Sequence, residues 1–142
     1  MQEAKVVTCF VLRRTPAGDE VLLLRRSQQV GTYRGRWAGV SGYLEVSDPL
    51  AQAYREIEEE TGLTQDEMTL LQTGEPLEVL DAQAGRRWTV HPFLFEVRPD
   101  AQVRVDWEHT EARWVRPEEV FAFETVPQLA EVLMRVYPLA RP

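Results

Sequence analysis

Glu56, Glu59 and Glu60 stand at spacings of three and four, which on an α-helix brings their carboxylates to one patch. Like charges so placed repel one another. An ordinary solvated helix mixes its signs or sets a lysine four residues beyond each glutamate. Here the run Glu58-Glu59-Glu60 has no lysine to offset it. A bound hard cation would relieve the repulsion, and magnesium takes oxygen ligands in octahedral geometry, commonly sharing them with substrate phosphates. Taken alone, the same glutamates are also what a charged, solvent-facing helix presents.

The elements that must carry these residues follow from local signals. Asp48 can cap a helix whose first position is Pro49, and Gly62 suits the left-handed position that ends it. Between them Leu50, Ala53, Tyr54, Ile57 and Thr61 form one stripe, expected to pack against a sheet. Residues 5–13 and 21–26 predict two strands joined through the turn signal Thr15-Pro16-Ala17-Gly18-Asp19. Residues 28–36 predict a loop, and 37–41 a short strand. Further strands are expected at 68–73, 89–97 and 112–115, a helical turn at Pro117, and an amphipathic helix over 126–137. Interleaved strands and helices predict an α/β or α+β layered fold.

The chain of 142 residues is long enough for one domain with a real core and too short for two ordinary ones, so a single domain over 1–142 is expected. No apolar run is long enough to span a bilayer, and the N-terminal residues lack a basic region followed by an apolar stretch, so neither a membrane nor a signal peptide is expected and the protein is expected to be cytoplasmic. The single cysteine, Cys9, lies among Val6, Val7, Phe10 and Val11 and is expected to be a buried thiol. A net charge of −7 argues against a nucleic-acid partner, which usually requires a basic face. An acidic protein can still bind a polyphosphate if a divalent cation bridges them.

The segment as a whole is more specific than its glutamates. Gly42-Tyr43-Leu44-Glu45-Val46-Ser47-Asp48, six residues, then Arg55-Glu56-Ile57-Glu58-Glu59-Glu60-Thr61-Gly62-Leu63 resembles the Nudix signature. That signature runs glycine, five residues, glutamate, seven residues, then Arg-Glu-aliphatic-x-Glu-Glu-x-Gly-aliphatic. The second half matches at every defined position. In the first half Asp48 stands where glutamate is usual and the spacer is one residue short; without a gap, Ser41 and Ser47 would take the places of the glycine and the acid. The gapped alignment is preferred because it keeps both. A strand ending in Leu22-Leu23-Leu24-Arg25-Arg26, the Gly35-Arg36-Trp37 approach and the segment from Glu108 to Val115 also look like Nudix domains.

The resemblance implies an α/β/α sandwich with a mixed central sheet, the box forming loop-helix-loop. It implies hydrolysis of a diphosphate linkage in a nucleoside diphosphate derivative, dependent on Mg²⁺ or Mn²⁺. Glu59 and Glu60 would be the main metal ligands and Glu56 a third ligand or a base, with a backbone carbonyl near Val40 or Ser41 completing the site. Arg55 would orient a box glutamate, and Gly42 would permit the tight loop. The general base is either a box glutamate or a distant acid, Glu108 before Glu111. Arg25, Arg34 and Arg36 are candidates to counter phosphate charge, and Trp37, Trp88 or Trp107 to stack on a base; Trp114 is expected in the core, and His91 and His109 are more often structural. A homodimer is compatible with the resemblance. The alternatives are a catalytically weak nucleotide-binding module and an isoprenoid-diphosphate isomerase, which wants a reactive cysteine by the site.

Overall fold

The computed structural model describes residues 1–142. Strands β1 (Gln2–Thr15) and β2 (Gly18–Arg26) form the expected hairpin, antiparallel from Leu12↔Val21 to Thr15↔Gly18. Beyond that pairing the two strands part. The chain returns into the gap as β3 (Trp37–Ala38), paired with β2, and β4 (Val40–Tyr43), paired with β1 through Val6↔Tyr43 to Cys9↔Val40. The single strand expected over 37–41 is therefore two, because one straight segment cannot follow two diverging partners. The switch falls at Gly39, where a Cβ would stand 2.9 Å from the Cys9 carbonyl oxygen.

Helix α1 (Pro49–Thr61) follows, then β5 (Met68–Thr73), β6 (Leu77–Asp81), β7 (Arg86–Val97), β8 (His109–Val115) and the short helix α2 (Leu129–Met134). Strand β7 runs parallel to β1 over their shared length, from Gln2↔Arg86 to Arg13↔Val97. Its other edge is divided between β5 and β6, both antiparallel, and β8 completes the sheet against β2. The sheet is thus mixed and its central pair is parallel, which calls for cover on both faces.

That cover is a layer of helix on either side. On one face Ala53 and Ile57 of α1 pack with Val7, Cys9, Val11, Phe93 and Phe95. On the other, Leu129, Val132 and Leu133 of α2 pack with Phe10, Leu12, Val90 and Leu94. Alternate residues of β1 and β7 serve the two cores, as the period of a strand requires. Cys9 is buried as expected.

Two expectations need amendment. The helix expected over 126–137 covers only Leu129–Met134, because Thr125 is bridged to Trp37, the Val126 amide donates to the Trp37 carbonyl, and Gln128 takes a left-handed φ of 57° before the helix begins. Strand β6 was not expected at all, although Leu77 and Val79 alternate with Glu78 and Leu80. No helix is long and apolar enough to cross a membrane.

Candidate active site

Helix α1 begins and ends where its signals place it. Asp48 accepts a hydrogen bond from the Leu50 amide at 3.1 Å, Pro49 occupies the first turn, and Gly62 closes the helix at φ 79°. Asp48 is therefore an N-cap. Its exposed carboxylate points to the helix start and not toward the glutamates further along.

The glutamates do not share one solvent-facing patch. Gln52, Glu56 and Glu60, four residues apart, form a row that turns inward, with Glu56 6% and Glu60 1% exposed. Glu59 lies on the solvent side, half exposed, 3.3 Å from the Arg55 Nε. The pair joins residues four apart on one helix, and both side chains are about half exposed. No three acidic, histidine or cysteine side chains converge closely enough to enclose a cation in this arrangement.

Gly42 is packed directly against Glu56. A Cβ at this position would overlap the Glu56 carboxylate. The glycine of the gapped alignment therefore lies against a box glutamate, whose side chain would have to shift for any larger residue at 42. On the other side the Gln52 amide nitrogen donates to Glu56 Oε2 at 2.8 Å.

Behind Glu56 lies a pocket of acids. Glu60 Oε2 is buried and has no hydrogen-bond partner. Its Oε1 stands 3.6 Å from His109 Nε2, too far for a hydrogen bond, while His109 Nδ1 lies 3.1 Å from Asp106 Oδ1. Burial pushes the Glu60 carboxyl well above the ordinary carboxylate range; the charge of Glu108 and a hydrogen bond that the protonated form gives to Glu56 push it further, so the oxygen without a partner is a feature of the ionised form. Burial also raises Glu56, against hydrogen bonds from its neighbours that act the other way.

Glu108 stands at the mouth of this pocket and is pushed up to about 7, by burial first and then by Asp106 and Glu56, with Arg26 opposing. Its folded value lies above the ordinary 4.5. The protonated carboxyl therefore contributes stability that is full below about pH 4.5 and fades as pH rises through about 7. His109, pushed down by burial, acts in the opposite sense on the acid side. The expected result is a metal-free protein whose thermal midpoint falls between pH 6 and pH 8 more steeply than that of Glu108→Gln, a comparison in which His109 cancels. Equal slopes in the two proteins would contradict this.

A cleft of about 150 Å³ opens beside the acids. Its lining includes the polar residues Arg26, Ser41 and Glu108 together with the rings of Tyr33, Tyr43 and Trp88. Two of the rings are fixed by a relay: Trp88 Nε1 donates to the Tyr33 hydroxyl at 3.2 Å, and that hydroxyl donates to Asp81 at 2.8 Å. Tyr43 lies 6.1 Å from Trp88, centroid to centroid, and is half exposed. The Arg26 guanidinium is held by the carbonyl and hydroxyl of Thr32.

The structure brings Glu56, Glu60 and Glu108 together and sets Glu59 at the rim with Arg55. Arg25, Arg36 and Trp37 do not line the cleft. Arg25 donates to the Gly35 carbonyl, and Arg36 lies 3.9 Å from Glu124. Trp37, expected to contact substrate, is a core residue, 8% exposed and edge-on to Phe123 at 5.5 Å, because β3 carries it into the α2 side of the sandwich. Arg34 is turned back to the Val30 carbonyl. Trp107 is 63% exposed on the loop before Glu108. Trp114 is partly buried beneath the Arg13 guanidinium. Sequence reasoning passed over Arg26, Tyr33 and Gln52. Arg26 was visible as the last residue of an apolar strand, where a charge at an element end faces a loop; the other two carried no local signal.

A family model described as the NUDIX domain matches residues 3–136. Among solved structures, the chain resembles a C. elegans Ap4A hydrolase in a binary complex, with a TM-score of 0.77 and 20% identity over 93% of each chain. It also resembles a bifunctional NMN adenylyltransferase/ADP ribose pyrophosphatase from Francisella tularensis complexed with AMP and a manganese ion, with a TM-score of 0.75 and 18% identity over 94% of this chain and 40% of that one. An octanoyltransferase of Myxococcus xanthus is 33% identical over 112 residues, 78% of this chain but only 30% of that protein's length. Fold, box and family model agree, and the chain belongs to the Nudix family.

Proposed function

We propose that this chain hydrolyses the diphosphate linkage of a nucleoside diphosphate derivative, with Mg²⁺ or Mn²⁺ held by Glu56, Glu59 and Glu60. The observation that carries the reading is the Glu60 carboxylate, buried beside Glu56 with one oxygen lacking any partner. A buried, unpaired acceptor among other acids is destabilising, and a hard cation supplies what it lacks. The donor set is all oxygen, which suits Mg²⁺ and Mn²⁺. Glu59 is exposed enough to leave Arg55 and turn toward such an ion. When bound, the metal would polarise the phosphoryl group and acidify a water.

The protein's own groups divide the remaining tasks. Arg26, held in place by Thr32, faces the cleft and would meet phosphate oxygens. Glu108 carries a carboxyl near neutrality, where a group can both take and return a proton, which supports it over Glu111 as the distant base. Glu111 is exposed on β8, paired in register with Arg25. Tyr43, half exposed beside the buried Trp88, would offer a ring to a nucleoside. The isomerase alternative is disfavoured by Cys9, which is fully buried and whose thiol is pushed well up by burial and by the neighbouring Glu60 and Glu56.

The test is a panel of nucleoside diphosphate derivatives, including ADP-ribose and dinucleoside polyphosphates, incubated with Mg²⁺ or Mn²⁺ and resolved by product. Cleavage between phosphorus atoms that stops in excess chelator is expected. Undiminished turnover in chelator, or no turnover of any compound, would remove the proposal.

A further inference from the structure

Gln52 is wholly buried on the sheet-facing side of α1, at a position where an apolar side chain would pack at less cost. Its amide is used in both directions. The oxygen accepts from the Glu45 and Val46 backbone amides at 3.0 and 3.2 Å, and the nitrogen donates to Glu56 Oε2 at 2.8 Å. Backbone amides only donate, so the oxygen must face the loop and the NH₂ must face Glu56. The loop it holds, between Gly42 and Asp48, is the stretch that leads from β4 into α1. Glu56 is thus clamped from two sides, by the Cα of Gly42 and by the amide of Gln52.

We infer that Gln52 is a positioning residue for the metal site: it ties the loop before α1 to that helix and fixes the orientation of the Glu56 carboxylate. This rests on the proposal that Glu56 holds a divalent cation. Ligating carboxylates depend on such outer partners, whose removal typically weakens metal affinity or activity about 10- to 100-fold. A tether of the loop alone and an orienter of Glu56 differ in what the two halves of the amide do, and the halves can be separated.

The probe is Mn²⁺ alone, titrated into wild type, Gln52→Met and Gln52→Glu by electron paramagnetic resonance, with amide exchange at Glu45 and Val46 and a thermal melt on each. Gln52→Met keeps the volume and loses both functions. We expect its Mn²⁺ dissociation constant to rise at least about tenfold, with faster exchange at both amides. In turnover it should lower kcat and leave KM nearly unchanged at saturating metal. Gln52→Glu keeps the acceptor for the loop and replaces the donor with a carboxylate beside Glu56. Two carboxylates in contact cannot both ionise, so affinity should fall here too, with the loop amides still protected. The added negative charge would by its field alone tighten cation binding, so a loss is diagnostic. Wild-type affinity in either variant overturns the inference, and affinity retained only in Gln52→Glu leaves nothing but a loop tether. If Gln52→Met does not melt cooperatively, Gln52→Glu carries the decision. A wild-type protein that bound no Mn²⁺ would end the metal reading itself, and this inference with it.

Discussion

Glu60→Gln should make the metal-free protein more stable and the enzyme nearly inactive. Glu60 is 1% exposed, one of its oxygens is unpartnered, and its carboxyl is held well above the ordinary range by burial and by Glu108. A raised folded value means that the side chain's contribution is lost as pH rises, so the benefit of a neutral amide grows toward alkaline pH. Leaving a buried polar group unsatisfied costs roughly 1–3 kcal/mol, and an amide that donates toward Glu56 recovers part of it. In a domain of this size that corresponds to a rise of several degrees in thermal midpoint. Turnover should fall about a thousandfold, since a metal contributes several kcal/mol to the transition state and each 1.4 kcal/mol is a factor of ten. A variant less stable than wild type in chelator, or one that keeps its turnover, would refute this account of the pocket.

Glu59→Gln should lose activity on the same scale without the gain in stability. Glu59 is half exposed and its partner Arg55 is as open to solvent, so the ion pair contributes about 0–1 kcal/mol at most. The melting curve should therefore match wild type within about 0.5 kcal/mol. Turnover should drop by about two to three orders of magnitude if, as proposed, Glu59 swings onto the ion as a ligand. The two glutamates, adjacent in sequence, are separated by their cost to the folded protein: one is a strained interior group and the other a free surface one. Wild-type turnover in Glu59→Gln would show that the ion is held by the buried pair alone.

The helix and its ends were legible because they depend on neighbours in sequence. Asp48-Pro49 and Thr61-Gly62 carry backbone requirements that no distant contact changes. The hairpin of β1 and β2 and the alternation of β7 were legible for the same reason. The division of the glutamates was not. An apolar stripe can be counted, but an inward row of Gln52, Glu56 and Glu60 breaks the rule that polar residues face water, and it does so at the site where chemistry requires it. The cleft was illegible in a different way. Arg26, Tyr33, Tyr43, Trp88 and Glu108 meet only because β2, the 28–36 loop, β4, β7 and the loop before β8 are neighbours in space. Trp37 shows the limit of composition: a tryptophan beside glycine and arginine suggested a ligand contact, whereas its strand register put it in the core.

The parallel pairing of β1 with β7 has a consequence for how the protein is made. Gln2 finds its partner at Arg86 and Arg13 at Val97, more than half the chain away. Strand β1, apolar over most of Val6–Leu12, leaves the ribosome well before β7 and must wait for it before its second edge is covered. Contacts of such sequence separation slow folding, since the loop must close before they reward it. During that delay an uncovered apolar strand is a template for association with other chains. Yield from fast expression should accordingly suffer more from changes that weaken β7, such as replacing Phe93 or Phe95, than from equal losses of packing in α2, which is added after the parallel pair is closed.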